Sequence, residues 1–378
     1  MISKLPNVTT SIFAVMSKMA NDNNALNLSQ GYPNFESDPL LIDLVNRAMK
    51  DGFNQYAPMP GEPSLREEIS KKCLKLYNRN YDPDTDITVT AGATQAIFTA
   101  IAAIVDKGDE VIIFTPAYDC YHPTVELFGG KTLPIQLEAP DYQIDWDEVS
   151  DSISDKTKLI IINTPHNPSG TILSRSDMEM LQTLVVKHGL YVISDEVYEH
   201  IIFDGNTHYS AALFPELAQR TFITASFGKT FHNTGWKLGY CLAPKTLMRE
   251  FQKVHQFNVF SVNHPVQKAL ATYLKTPEHY YGLSGLYQNK RDLFLDLIRN
   301  SRFRFIPSKG TYFQMLDYSE ITDEGDRMFA EKLTREFKVA TIPTSVFNEN
   351  EKDFKQLRVC FAKTDDTLRN AAMILNSI

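Results

Sequence analysis

Leu190-Tyr191-Val192-Ile193-Ser194-Asp195-Glu196-Val197-Tyr198 decides how the rest of the chain is read. An apolar, β-branched run breaks off at an acid and, shortly after, a phenol. Short runs of this kind, bounded by polar residues and glycine, read as buried strands of a parallel sheet. A second run, residues 221–225, breaks off in Ser226-Phe227-Gly228-Lys229-Thr230, and Gly235-Trp236-Lys237 then leads into another short apolar run. In open α/β sheets, ligands sit outside the carboxyl ends of the strands. Asp195, Tyr198, Ser226, Lys229 and Lys237 are therefore expected together at one sheet edge. A single lysine at a strand end is usually a solvated charge, and an aspartate there is often only a helix cap. An acid, a phenol, a hydroxyl and two amines at one edge make a site.

That set fits one chemistry. A lysine amine forms a Schiff base with the aldehyde of pyridoxal phosphate. A carboxylate against the pyridine nitrogen keeps that ring protonated as an electron sink. The phosphate wants cations, hydroxyls and backbone N–H groups.

The chain has 378 residues, enough for one large domain and a smaller one. Hydrophobic content of 43% and charged content of 22% are those of a globular protein, and a net charge of −8 argues against a nucleic-acid partner. Cys73, Cys120, Cys241 and Cys360 are far apart and read as reduced thiols. No apolar stretch approaches membrane-spanning length, and residues 1–6 carry no signal-peptide core. No partner membrane and a cytoplasmic location are expected.

Taken in order, residues 12–20 read as a helix with Thr9, Thr10 or Ser11 as cap. Ser29-Gln30-Gly31-Tyr32-Pro33 is either a plain turn or a close backbone approach to a ligand. Helices follow over 40–50 and 64–77, then a strand over 87–90 that runs through Gly92 into a helix start at Ala93-Thr94. Helix N-termini bind anions. Strands over 111–114 and 159–162 end in Pro116-Ala117-Tyr118 and in Thr164-Pro165-His166-Asn167-Pro168-Ser169-Gly170. Tyr118 is either packing or a ring to lie on an aromatic ligand. The prolines hold the Asn167 amide at the sheet edge, and His166, which could be taken for a catalytic residue, reads rather as a brace for that loop or a solvent-facing residue. Beyond Lys237, helices are expected over 247–257, 266–274 and 281–300, strands over 311–316 and 356–361, and a terminal helix from Leu368. Arg358 falls inside the last strand. Buried there, it needs either a protein carboxylate or that of a substrate. There is no metal-ligand spacing, internal repeat or G-x-G-x-x-G fingerprint.

In this order and spacing the motifs resemble the fold-type I pyridoxal-phosphate enzymes of the class I aminotransferase family. The resemblance runs from the Gly31 turn to the end of the chain. Asn54-Gln55-Tyr56-Ala57-Pro58-Met59, Pro116-Ala117-Tyr118-Asp119 and Phe260-Ser261-Val262-Asn263 point to the methionine aminotransferase branch, near glutamine transaminase K and kynurenine aminotransferase. The resemblance implies an α/β fold, with a large domain (44–281) around a mostly parallel sheet flanked by helices and a smaller α+β domain (1–43 with 282–378). It implies pyridoxal 5'-phosphate as cofactor, an amino acid and a 2-oxo acid as substrates, and a homodimer. It also implies roles. Lys229 forms the internal aldimine and shuttles the Cα proton to C4′. Asp195 pairs with the ring nitrogen, and Asn167 and Tyr198 bond the phenolic oxygen. Tyr118 stacks on the ring. Ala93, Thr94, Ser226 and Lys237 hold the phosphate, with Tyr56 reaching in from the neighbouring subunit. Arg358, with Gly31 and Asn167 beside it, takes the substrate α-carboxylate. Ser261-Val262-Asn263-His264 lies near the side-chain pocket, with Tyr32 and Ile12-Phe13 on the other wall. Many family members have serine where this chain has Gly228. The implied reaction is transamination of methionine and other large neutral or aromatic amino acids. The alternatives on the same fold are a carbon–sulfur β-lyase and a kynurenine or glutamine transaminase. A transcription regulator would need a basic DNA-binding unit ahead of the first helix, for which there is no room.

Overall fold

The main sheet forms where the apolar runs predict it, in a computed structural model that describes residues 2–378. A two-residue strand, β1 (Leu26–Asn27), precedes it. The sheet strands follow in chain order: β2 (Ile87–Thr90), β3 (Glu110–Thr115), β4 (Lys131–Gln136), β5 (Thr157–Asn163), β6 (Tyr191–Asp195), β7 (Thr221–Ser226) and β8 (Gly239–Leu242). Their order across the sheet is β2-β8-β7-β6-β5-β3-β4. Every adjacent pair is parallel except the two that involve β8.

The continuous apolar character of these strands follows from burial on both faces. In β5, Leu159 and Ile161 enter one core while Ile160 and Ile162 enter the other; in β6, Ile193 and Val192 divide the same way. Helices Gly92–Ile104 and Lys245–Asn258 cover one face through Ile97, Ile101, Met248 and Phe251. Helices Pro63–Tyr77 and Arg175–His188 supply Leu65, Ile69, Leu181 and Val185 to the other. Each such side chain contributes about 1.5–3 kcal/mol of hydrophobic stabilisation.

The later strands make two smaller sheets. β9 (Phe313–Asp317), β11 (Ile342–Pro343) and β12 (Gln356–Cys360) form an antiparallel sheet in the order β11-β12-β9, and β10 (Val339–Ala340) pairs in parallel with β1. Arg358 is thus on a central strand, opposite Met315 on one side and Ile342 on the other.

Three departures from expectation have physical causes. β8 runs against the parallel sheet because the link from β7 is consumed by the short turn carrying Lys229, so the chain re-enters from the same edge. A parallel return needs a longer crossover. The helix expected over 281–300 forms as Leu283–Ile298, but a separate single turn of helix, Glu278–Tyr281, precedes it across Gly282. Helix Arg175–His188, not anticipated, is announced by a capping box from Ser174 to Asp177 and a left-handed Gly189 at its end.

Candidate active site

Strands β5, β6 and β7 end side by side, in register, at Asn163, Asp195 and Thr224-Ala225-Ser226. A cleft of about 260 Å³ opens over these ends. Gly31, Ala93, Thr94, Tyr118, Asn167, Asp195, Tyr198, Ser226, Lys229, Lys237 and Arg358 all line it, as do Phe13 and Tyr32. Of the residues expected to bind the cofactor or the α-carboxylate, only Tyr56 is outside. It is 81% exposed, with its ring edge-on to Phe260 at 5.5 Å. The Ser261–His264 segment also misses this cleft: Ser261 bonds the Ala57 carbonyl and His264 bonds the Gln55 carbonyl and Glu62. Those bonds tie the segment to the Tyr56 loop instead.

Asp195 closes β6 with 4% of its surface exposed. Its Oδ2 accepts a 2.6 Å hydrogen bond from Tyr121, and the Val197 amide approaches Oδ1 at 3.4 Å. Burial pushes its carboxyl up to about 6, against the pull of the Tyr121 hydroxyl and the Lys229 charge. A group whose folded pKa is raised stabilises the native state fully below its unfolded value, near 4, and that contribution is lost as pH rises through 6. The cofactor-free protein should therefore gain about 1 kcal/mol from this group between pH 7 and pH 5. Asp195→Asn should lack that gain. Urea unfolding of both proteins at the two pH values measures it; equal pH responses would contradict the assignment.

Only part of the motif after β6 faces the cleft. Glu196 accepts from Ser194, His208 and the Ala211 amide, and Glu199 pairs with Lys72 at 2.5 Å. Both carboxylates anchor the strand end from behind. Tyr198 packs edge-on to Tyr312 at 5.1 Å and lines the cleft.

Lys229 sits on the short turn Phe227–Thr230, capped by the Ser226 hydroxyl, which accepts the Lys229 amide at 3.3 Å. Its Nζ donates to the Gly31 carbonyl at 2.9 Å. Burial holds its ammonium down to about 8, so roughly a tenth of it is neutral at pH 7. The Gly228 position has a steric reason: a Cβ there would come 3.0 Å from the Thr234 Cα, too close for serine without a shift.

Opposite the acid, helix Gly92–Ile104 begins on the cleft without a side-chain cap. Its free N–H groups at Ala93 and Thr94, the Ser226 hydroxyl and the Lys237 ammonium make an anion-binding corner. A Cβ on Gly92 would lie only 3.4 Å from the Lys237 side chain.

Arg358 is 1% exposed. Nη1 donates to Asn167 Oδ1 at 2.8 Å and Nη2 to the Ser29 carbonyl at 2.9 Å, while Nε has no partner. Phe313 lies against its guanidinium at 4.0 Å and Phe13 at 5.0 Å. None of these partners is a carboxylate, so the choice left open by the sequence falls towards a ligand. The Gly31 turn is a close approach: a Cβ there would meet the Phe313 ring at 2.7 Å. His166 is a buried brace rather than a solvent-facing residue, bonded to Ser169 at 2.6 Å and to the Pro116 carbonyl at 3.0 Å. Ser11 precedes the first helix as expected, but its hydroxyl donates to Asp119 at 3.1 Å instead of capping.

Sequence reasoning passed over Tyr121, Asn163, Thr234 and Phe313. Asn163 carried the same signal as Asp195, a polar residue closing an apolar run, and donates to the Asp195 carbonyl at 2.9 Å. Phe313 carried none.

The family model described as "Aminotransferase class I and II" matches residues 23–375. The chain is 46% identical to the methionine aminotransferase of Escherichia coli (strain K12) over 377 residues, covering 100% of this chain and 98% of that protein. It is 35% identical to the kynurenine–oxoglutarate transaminase of Dictyostelium discoideum, over 96% of this chain and 92% of that one. Among solved structures, YbdL from Escherichia coli, reported with a methionine aminotransferase function, superposes with a TM-score of 0.98 at 45% identity, covering 100% and 99% of the two chains.

Proposed function

The chain belongs to the class I and II aminotransferases, and on that footing we propose that it moves the amino group of methionine, and of other large neutral or aromatic amino acids, to a 2-oxo acid. The observation that carries this reading is Arg358: a buried guanidinium with no carboxylate partner and a free Nε, in the same cleft as Lys229. It suits the carboxylate common to every amino acid and 2-oxo acid.

The cleft fits pyridoxal 5'-phosphate on its donor set. An uncapped helix N-terminus, Ser226 and Lys237 suit a phosphate, buried Asp195 suits a protonated ring nitrogen, and Lys229 suits an aldehyde. When bound, this group supplies an electron sink next to the donor's Cα. The chain's residues do the rest. Arg358 and Asn167 orient the donor by its carboxylate, so that Cα faces Lys229. Lys229, partly neutral near pH 7 through burial, would take the Cα proton and would be the group to return it at the cofactor's C4′. Asp195, kept partly ionised by Tyr121 and Lys229, holds the ring proton. Asn167 and Tyr198 would hold the ring's phenolic oxygen, and Tyr118, on the same cleft, would cover its face.

The remaining assignments belong to the same reading. Residues 44–281 form the large domain, and 1–43 with 282–378 the small one. The enzyme is a homodimer in which Tyr56 reaches the neighbouring subunit's phosphate site; its exposure, with its ring against the 45%-exposed Phe260, supports a covered aromatic face. The four free cysteines support a reducing, cytoplasmic compartment.

Donor choice follows from the cations. Those lining the cleft are Lys229, Lys237 and Arg358, all committed. Arg291 is paired with Asp204 and Asp292, and Arg302 bonds the carbonyls of Glu320 and Ile378. No further cation lines the cleft among the described residues to receive a distal carboxylate, and Phe13, Tyr32 and Phe313 offer apolar surface suited to a thioether. Methionine should exceed aspartate and glutamate by at least about tenfold in kcat/KM. Steady-state rates with the three donors and one acceptor decide it. Product identification with a cysteine S-conjugate as donor separates the reactions: a new amino acid with a new 2-oxo acid means transfer, and pyruvate with ammonia and the released thiol means β-elimination.

A further inference from the structure

Lys363 is a buried cation that the reaction above does not use. Its side chain is 2% exposed, and its partners are two backbone carbonyls, Tyr32 at 2.8 Å and Gln30 at 3.4 Å, with the Tyr32 ring 5.1 Å from Nζ. No carboxylate is among them. A buried ammonium without an anion is expensive, so simple filling of this space would be cheaper with an apolar residue.

The carbonyls it holds belong to a row. Ser29 accepts from Arg358, Gln30 from Lys363, Gly31 from Lys229 and from the Tyr312 hydroxyl at 2.7 Å, and Tyr32 again from Lys363. Four consecutive carbonyls thus face three cations. One step upstream, the Leu28 carbonyl accepts the Cys360 amide at 2.8 Å, which fastens the same segment to the strand of Arg358. Two residues downstream, the Asn34 side chain accepts the Thr364 amide at 2.7 Å and donates to Thr367 at 3.0 Å.

We propose that Lys363 is a positioning residue for the substrate α-carboxylate: it pins the turn at residues 29–32 so that the Ser29 carbonyl holds one edge of Arg358 and leaves the rest for the ligand. A guanidinium has five N–H donors. One goes to Asn167 and one to Ser29, which leaves three, Nε–H included. A bidentate carboxylate contact needs two of these in one plane with it. If the turn drifts, Ser29 releases Nη2 and the plane of the guanidinium turns with it. Lysine suits this task because one Nζ reaches two carbonyls and its charge strengthens both bonds.

This inference rests on the transaminase reading. The probe is 4-methylthiobutyrate, which has methionine's side chain and a carboxylate but no amino group to react. Its Kd for the holoenzyme is measured by calorimetry in wild type, Lys363→Met and Lys363→Arg, beside methionine transamination. Lys363→Met should weaken binding about tenfold and raise the methionine KM to match, with kcat within about twofold, and Lys363→Arg should recover most of the affinity. Asn34→Ala, a surface substitution that leaves the core intact, loosens the same clasp and should weaken binding about threefold, which keeps the test available should Lys363→Met not fold. Unchanged Kd in Lys363→Met or in Asn34→Ala, or equal weakening by Met and Arg, overturns the proposal. A wild-type protein without transaminase activity overturns the functional reading instead.

Discussion

Lys229→Ala is expected to lower kcat by at least about a thousandfold, the upper range of general acid–base catalysis by one positioned group. The amine donates to the Gly31 carbonyl at 2.9 Å, and it shares the cleft with Asp195 and Arg358. No other lysine except Lys237 lines that cleft among the described residues, and Lys237 lies in the anion corner. The fold should survive, because the substitution removes a buried ammonium whose side-chain hydrogen bond is to a carbonyl rather than a carboxylate. Two measurements check this. Borohydride treatment and peptide mapping should fix the cofactor to Lys229 in the wild type and leave no fixed cofactor in the variant. Attachment at another lysine would remove the basis of the mechanism.

Asp195→Asn is expected to slow the reaction by roughly a hundred- to a thousandfold, the range seen when a preorganised electrostatic partner is removed. Cofactor affinity should change far less, since the helix N-terminus, Ser226 and Lys237 are untouched. The amide cannot hold a ring proton as a carboxylate does. The same substitution should stabilise the cofactor-free protein near pH 7, because it removes a charge that burial disfavours. Opposite signs for stability and rate mark a functional group; a structural strand cap would lose both. Single-turnover absorbance with methionine gives the rate, and a variant near the wild-type value would make Asp195 a cap only.

Much of this was legible in the chain because the signals are local. The runs at 191–195 and 221–226 place apolar residues at successive positions (Val192-Ile193, Phe222-Ile223) since both faces of their sheet are covered, and the residues that close them fall at the carboxyl edge wherever the strands sit. Asp195, Ser226 and Lys229 needed only that rule. Arg358 announced itself by being charged inside an apolar strand. Tyr121 did not: a tyrosine at a helix start reads as packing until its hydroxyl is seen 2.6 Å from Asp195, 74 residues away.

The sequence by itself determined the α/β class, the strand ends that carry the chemistry and the cations available to a carboxylate, because residue type and short-range period encode burial and strand termini. The tertiary structure decided what those groups hold. It set the direction of β8, the pairing of Asp195 with Tyr121, the commitment of Arg291 to Asp204 and the row of carbonyls that faces Arg358, Lys229 and Lys363. Ser29 and Arg358 are 329 residues apart, and Tyr32 and Lys363 are 331 apart. Contacts over such separations depend on how β12 and the N-terminal segment cross, and no local pattern records that crossing.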